Sequence, residues 1–242
     1  MTGVQTCALP ISRNDTLAGK TCLISGSGNV AQHTAEKIIE LGGKVLTLSD
    51  SSGYIYDPEG IDSKKLAFVK RLKNLKRGRI QEYVDKYSET LYTEADTSQN
   101  CNPLWTHRAD CAFPCAFENE IGEKDAYNLI NNGIKMICEG ADMPSSPEAV
   151  KIFLDKKLLF APAKAANAGG VAVSGLEMAQ NRMLLNWSAE EVDQRLRSIM
   201  KNIHQTCLDV AVEYGEPGNY LAGANIAGFV RVVNAMLDQG LV

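Results

Sequence analysis

Short runs of β-branched and other apolar residues alternate along much of the chain with stretches whose apolar positions recur at helical spacing. The short runs predict strands at residues 21–25, 45–48, 90–92, 111–113, 135–138 and 158–161. The helical spacing predicts helices at residues 30–41, 62–73, 124–131 and 146–155. Strands and helices in alternation indicate a parallel sheet that is covered by helices on both faces.

The pattern changes after Asn167, where the strand-like runs end. Long amphipathic stretches follow at residues 171–185, 189–212 and 226–239, and they predict helices. No internal repeat, low-complexity segment or flexible linker divides residues 13–242. We therefore expect one α/β domain, with a doubly wound and mainly parallel sheet and C-terminal helices packed on it.

Residues 1–12 do not fit this pattern. They contain an apolar patch at residues 7–11 with no charged segment before it, so they fail as a signal peptide. We expect them to be foreign to the domain, with an ordinary disordered start as the alternative. The domain itself is then expected to occupy residues 13–242.

Composition narrows the class of function. A chain of 242 residues with 45% hydrophobic content can bury a full core. Its formal net charge of −4 argues against a nucleic-acid partner and favours small-molecule chemistry. The seven cysteines lack metal-ligand spacing, and no apolar run approaches the roughly 20 residues of a membrane span. We expect a soluble, cytoplasmic protein with reduced thiols, no metal site and no membrane partner.

The clearest motif is a glycine-rich turn between the first predicted strand and the first predicted helix. In order, it consists of Gly26, Ser27, Gly28, Asn29, Val30 and Ala31. Gly26 permits the tight turn, Gly28 leaves room for a pyrophosphate, and the small Ala31 lets the helix pack closely on the sheet. The helix N-terminus adds unpaired N–H groups and a positive dipole end. The motif predicts a Rossmann-type domain that binds a dinucleotide.

The end of the second predicted strand bears on which dinucleotide is bound. Asp50 is placed to take the adenosine ribose hydroxyls, which alone predicts NAD. Ser51 follows it, and a basic run over residues 70–79 could reach a 2′-phosphate. A solvated helix face is an equally good interpretation of that run.

Several longer strings resemble the hexameric glutamate dehydrogenases, at residues 24–32, 139–144, 160–162, 164–178 and 223–229. The resemblance extends from about residue 15 to the end of the chain and concerns the coenzyme-binding domain. It implies the interconversion of L-glutamate with 2-oxoglutarate and ammonia, by hydride transfer to or from a nicotinamide ring. It also implies a homohexameric full-length protein.

The resemblance further implies roles for individual residues. The coenzyme ligands would include Gly26, Ser27, Gly28, Asn29, Val30, Asn119 and Asn167. Asn167 would also stand near the substrate, and Val171 and Ser174 would line the glutamate pocket, with the Ser174 hydroxyl on the side-chain carboxylate. Without the resemblance, a hydroxyl on a helix surface is the better interpretation of Ser174.

The resemblance to the glutamate dehydrogenases also bears on coenzyme preference. The string Ser49, Asp50, Ser51 resembles the NADP-preferring members, in which the serine and a downstream lysine, here Lys73, accept the 2′-phosphate. Residues 54–60 resemble NAD-using relatives as well. We expect NADP as the coenzyme, with NAD as the alternative.

Some features of the family are missing or altered. Its catalytic lysine and aspartate lie in a substrate domain on the N-terminal side of the coenzyme domain, so we expect no catalytic residue here and no glutamate turnover by this chain alone. Phe117 and Glu118 stand where the family usually has Thr and Gln, and Asp142 stands where it usually has Asn, beside the expected nicotinamide site. Cys115 is expected to be a small buried residue rather than a nucleophile.

Two other functions compete with a glutamate dehydrogenase. One is a non-catalytic module that binds NADP(H), and the other is a relative that acts on leucine, valine or phenylalanine. Ser174 argues against the second, because a serine aimed at a carboxylate has little purpose in an apolar pocket.

Overall fold

A computed structural model describes residues 15–96, 98 and 100–240, so the expectation for residues 1–12 lies outside the described residues. A seven-stranded sheet forms the centre, in the order β4-β3-β2-β1-β5-β6-β7. The strands are β1 (Thr21–Ile24), β2 (Lys44–Asp50), β3 (Gly53–Ile61), β4 (Leu91–Glu94), β5 (Cys111–Phe113), β6 (Met136–Cys138) and β7 (Leu159–Ala161). Strands β2, β1, β5, β6 and β7 run parallel, which confirms the mainly parallel sheet.

Helices cover the two faces of this sheet and extend beyond it. They are α1 (Asn29–Glu40), α2 (Ser63–Asn74), α3 (Glu123–Asn131), α4 (Pro147–Asp155), α5 (Ala163–Ala166), α6 (Gly169–Met183), α7 (Ala189–Glu213) and α8 (Tyr220–Gln239). Short 3-10 turns at Ile80–Tyr83 and Pro103–Thr106 interrupt the loops. The C-terminal helical section is thus confirmed.

Alternation along the strands divides the core into two clusters. In β1, Cys22 and Ile24 belong to the cluster that includes residues of α1 and α2. Leu23, between them, belongs to the cluster that includes residues of α3 and α4. Because successive side chains of a strand point to opposite faces, a central strand covered on both sides must be apolar throughout. The doubly wound arrangement follows from that pattern.

Strand β3 was not predicted and corrects the sequence analysis. It pairs antiparallel with β2 and with β4, so the segment predicted at 90–92 is an antiparallel edge strand. The first residues of β3 have strong β propensity, but Pro58 and Gly60 in its second half are residues typical of turns. Ser51 and Ser52 form the turn between β2 and β3, and the antiparallel pairing of these two strands holds β3 in place despite Pro58 and Gly60.

The last helix differs from its prediction in two respects. It begins at Tyr220 rather than at residue 226, because the Asn219 side chain caps it by accepting from the Ala222 N–H at 3.0 Å. It is also, among the described residues, the helix whose length and composition would allow it to cross a membrane, with a mean hydropathy of 1.3 and 11% of that stretch buried. The expectation that no segment reaches this length is corrected, although one such helix is weak evidence for a span.

Candidate functional site

The glycine-rich turn is held by hydrogen bonds between the ends of β1 and β2. The Gly26 N–H donates to Ser49 Oγ at 2.7 Å, and the Ser49 N–H donates to the Gly26 carbonyl at 3.0 Å. Gly26 has a φ of +79°, and a Cβ there would lie 3.0 Å from the Cys115 carbonyl oxygen. Only glycine fits this position without strain, which confirms the role expected for the first glycine of the motif.

Gly28 occupies a different environment, as its different place in the motif predicts. A Cβ at Gly28 would meet no heavy atom within 4 Å, and φ is −79°. Gly28 is the N-cap of α1, and no side chain satisfies the first N–H groups of the helix. An open space beside unsatisfied amides and the positive end of a helix dipole suits an anionic group.

A buried carboxyl group connects the turn to the loop after β5. Glu120 Oε1 accepts from the Ser25 hydroxyl at 2.8 Å and from the Ala116 N–H at 3.0 Å. Ser25 Oγ also accepts from the Cys115 N–H at 2.8 Å. Burial raises the pKa of Glu120 to about 7, although these hydrogen bonds act in the opposite direction. The Glu120 carboxyl therefore changes its charge near neutral pH.

Asp50 lies at the end of β2 and is fully engaged by neighbouring groups. Its carboxylate accepts from Lys73 Nζ at 2.9 Å and from the N–H groups of Ile80 and Ser52, both at 2.9 Å. Burial raises the pKa of Asp50, but the Lys73 ammonium and the two amides outweigh that effect and hold the pKa below its ordinary value. Lys73 also donates to the Gly78 carbonyl at 3.0 Å. The predicted ribose ligand and the predicted phosphate ligand thus form one ion pair.

Ser51 has a cationic partner that the sequence analysis did not single out. Arg79 Nη1 donates to Ser51 Oγ at 2.8 Å, and both residues are exposed. The two side chains come from segments 28 positions apart. A hydroxyl and a guanidinium that meet in solvent beside Asp50 form a suitable place for a phosphate group.

A cleft of about 690 Å³ lies on the other side of the turn. Its wall begins at Val30 in the first turn of α1 and continues through residues 115–118, 140–142, 164, 167–168 and 170–171. These segments follow β5, β6 and β7, so the cleft opens at the carboxyl ends of the parallel strands. In open α/β sheets this is where ligands bind.

Hydrogen bonds hold three of the four polar side chains of the cleft wall. Asn167 Nδ2 donates to Asp142 Oδ1, and Lys164 Nζ donates to Asn225 Oδ1 of α8. Glu118 also lines the cleft and is exposed. The cleft wall therefore combines two carboxylates, one ammonium group and a carboxamide with apolar surface from Val30 and the exposed ring of Phe117.

The comparison with known protein families decides the assignment. Residues 2–240 match the family described as Glutamate/Leucine/Phenylalanine/Valine dehydrogenase. The chain belongs to this family. The resemblance found in the sequence is thereby confirmed at the family level.

Individual members of the dehydrogenase family are closely similar. The chain is 57% identical over 226 residues to a glutamate dehydrogenase of Bacteroides thetaiotaomicron, covering 93% of this chain and 49% of the relative. It is 51% identical over 229 residues to the NADP-specific glutamate dehydrogenase of Giardia intestinalis, covering 95% and 50%. The crystal structure of Plasmodium falciparum glutamate dehydrogenase matches with a TM-score of 0.92 at 40% identity, covering 100% of this chain and 51% of that chain. The chain thus spans about half the length of the relatives it matches.

The structure brings some of the predicted site residues together. Asn167 and Val171 line the cleft with Val30, and Ser27 and Asn29 belong to the turn beside it. Their roles as ligands of a coenzyme or substrate stay predictions.

Two other predicted site residues do not line this cleft. Asn119 has a φ of 54°, and its N–H donates to the Met143 carbonyl at 3.0 Å. Ser174 is exposed on α6, where its hydroxyl donates to the Gly170 carbonyl at 3.3 Å. Their predicted roles also stay predictions.

Three residues without an individual role in the sequence analysis contact the predicted site or the strand before it, namely Ser49, Arg79 and Glu120. Ser49 and Arg79 carried a signal, since both stand in the strings that predicted the coenzyme preference. Glu120 carried none beyond its place after Asn119. Cys115 is buried, as predicted, and burial raises its pKa to about 12. Within the described residues, no group of three or more His, Cys, Asp or Glu side chains is placed to hold a metal ion.

Proposed function

We propose that residues 13–242 form the coenzyme-binding domain of an NADP-linked glutamate dehydrogenase. One observation carries this proposal: the open space at Gly28 lies at an uncapped helix N-terminus, in a turn that Ser49 holds in place. This arrangement has the shape and the polarity that a pyrophosphate requires. The family membership and the cleft beside the turn support the same function.

The coenzyme would be held at three places along the carboxyl edge of the sheet. Residues 26–30 would bind the pyrophosphate through main-chain N–H groups. The end of β2 would bind the adenosine end, and the cleft with Asn167 would take the nicotinamide end. The bound coenzyme supplies the hydride transfer, while the protein positions and polarises the reacting groups.

NADP is the coenzyme that the surroundings of Asp50 favour. Asp50 is already paired with Lys73, so its carboxylate is less available to ribose hydroxyls than the motif alone suggests. Ser51 and Arg79 form an exposed pair of a hydroxyl and a guanidinium that would bind the 2′-phosphate. Lys73 is held near this pair by its ion pair with Asp50, the residue before Ser51. The similarity to the NADP-specific glutamate dehydrogenase of Giardia intestinalis supports this choice, and NAD remains the alternative.

The reaction would be the interconversion of L-glutamate with 2-oxoglutarate and ammonia. Val171 and Ser174, on the first turns of α6, would contribute to the glutamate pocket. The acid–base groups would come from the part of the relatives' length that this chain does not span, and turnover would require that part. A homohexameric full-length protein and a cytoplasmic location belong to the same proposal.

Two measurements test this function separately. The first is a fluorescence titration of the 242-residue chain with NADPH and with NADH. We expect saturable NADPH binding and weaker NADH binding, and no saturable binding of either coenzyme would contradict the proposal.

The second measurement joins the N-terminal half of the Bacteroides thetaiotaomicron relative to this chain. Glutamate-dependent NADPH formation by the chimera, abolished by Gly28→Val, is the result expected of an enzyme. A folded chimera that binds NADPH but does not oxidise glutamate would instead support a module that binds coenzyme without catalysis.

A further inference from the structure

The topology determines which end of a bound dinucleotide would enter the cleft. Asp50, Ser51 and Arg79 lie at the end of β2, on one side of the glycine-rich turn. The cleft lies on the opposite side, at the ends of β5, β6 and β7. A dinucleotide spans the turn with one nucleotide on each side, so the nicotinamide ring would face the cleft.

Oxidised and reduced nicotinamide rings differ by one unit of charge. The ring carries a positive charge in NADP⁺ and none in NADPH. A fixed charge in the cleft wall therefore interacts differently with the two forms, while its effect on the adenosine and phosphate groups is the same for both.

Asp142 is a carboxylate with a fixed position in that wall. Its Oδ1 accepts from Asn167 Nδ2, and both residues line the cleft. Glu118, the other carboxylate of the wall, is exposed like Asp142, but it forms no hydrogen bond or ion pair found among the described residues, so its position relative to the ring is less fixed. The ammonium group of Lys164 donates to Asn225 Oδ1 of α8, which directs it to a carboxamide rather than to Asp142.

We propose that Asp142 makes the cleft selective for the oxidised coenzyme. Its negative charge stabilises the pyridinium ring of NADP⁺ relative to the neutral ring of NADPH. This inference rests on the proposed coenzyme function and adds a redox preference to it. By the thermodynamic cycle, a domain that binds NADP⁺ more tightly makes bound NADPH a stronger hydride donor than free NADPH.

Asp142→Asn isolates the charge, because the carboxamide keeps the shape of the side chain and still offers an oxygen to Asn167 Nδ2. The dissociation constants of NADP⁺ and NADPH are measured by calorimetry on the full 242-residue chain, with and without the substitution. We expect the dissociation constant of NADPH divided by that of NADP⁺ to fall about five- to tenfold in the variant, because NADP⁺ loses the attraction of the carboxylate. Added salt should shrink the difference between the two proteins.

Two further variants serve as controls. Asp155→Asn removes the same charge at the exposed C-terminal end of α4 and should leave the ratio unchanged. Glu118→Gln should change the ratio less than Asp142→Asn does.

Three results would overturn the inference. The first is a ratio that stays within about twofold in Asp142→Asn while both coenzymes bind, and the second is a larger change in Glu118→Gln. The third is a chain without substitutions that binds neither coenzyme, which would overturn the proposed function at the same time.

Discussion

Ser49 and Gly26 exchange two hydrogen bonds, from the Gly26 N–H to Ser49 Oγ at 2.7 Å and from the Ser49 N–H to the Gly26 carbonyl at 3.0 Å. The first bond uses a side chain in place of a main-chain acceptor, where the pairing of β1 and β2 ends. Both residues are buried. The shape of the glycine-rich turn therefore depends on a residue from the next strand.

Ser49→Ala should destabilise the domain by about 1–3 kcal/mol, because it leaves the buried Gly26 N–H without an acceptor. Urea denaturation measures the change in the free energy of unfolding. Ser52→Ala is the matched control, since Ser52 uses main-chain groups in its described contacts with Asp50, Tyr92 and Ala95. Equal stability of the Ser49→Ala variant and the unsubstituted protein would contradict the role given to Ser49.

Arg79→Gln should weaken NADPH binding about 10- to 100-fold and leave NADH binding within about twofold. The guanidinium beside Ser51 is expected to bind the 2′-phosphate, which NADH lacks, and a hydrogen bond to a charged group contributes about 1.5–3 kcal/mol. Titration with both coenzymes provides the ratio. Lys156→Gln, at the end of α4, controls for the lost positive charge. An equal loss of affinity for NADPH and NADH would place Arg79 outside the phosphate site.

Lys73→Met should destabilise the domain by about 1–3 kcal/mol at pH 7, because Asp50 would lose its counter-ion while remaining mostly buried. The native pKa of Asp50 lies below its unfolded value, so its stabilising effect is present above that value of 3.8 and disappears as the pH falls. The difference in unfolding free energy between the variant and the parent should therefore shrink in acid. Lys37→Met, which breaks an exposed pair with Glu40, should have a much smaller effect. A difference that stays constant down to pH 2 would be inconsistent with this account.

Glu120→Gln should flatten the pH dependence of stability between about pH 4.5 and 7. The native pKa of about 7 lies above the model-peptide value of 4.5, so the stabilising effect of the protonated group is complete below 4.5 and is lost as the pH rises through 7. Between these pH values, Glu120 lowers the free energy of unfolding by up to about 1.4 kcal/mol for each unit of pH increase. Unfolding curves at pH 5, 6 and 7 measure it. An unchanged slope in the variant would show that Glu120 is already ionised in the native protein.

The regular part of the fold was predictable from local pattern. Hydrophobic periodicity predicts each parallel strand and the helices that follow β1, β5 and β6, since buried parallel strands are apolar throughout and amphipathic helices repeat every 3.6 residues. Strand β3 was missed because Pro58 and Gly60 suggest a turn, and the pairing with β2 and β4 that overrides them is not local. The start of α8 was missed because a side-chain cap, rather than an apolar repeat, places it at Tyr220.

The site was predictable as a motif but not as a set of contacts. The motif predicts a tight turn at Gly26 and open space at Gly28, and the structure has both. The contact between Ser51 and Arg79 depends on how the chain returns after α2, which no local pattern encodes. The ion pair between Asp50 and Lys73 is likewise not encoded by a local pattern. The sequence predicts only that each of the two residues binds the coenzyme separately.

The central claim, that a coenzyme pyrophosphate binds at the turn, is tested most directly by calorimetric titration of NADPH into Gly28→Val. The side chain would enter space that is open in the protein, so folding should change by no more than about 1 kcal/mol at this N-cap position. Gly228→Val is the matched control, because a Cβ at Gly228 also meets nothing within 4 Å. We expect saturable NADPH binding to the parent and to Gly228→Val, and at least a 100-fold weaker NADPH affinity for Gly28→Val. Equal NADPH affinity of all three folded proteins would contradict it.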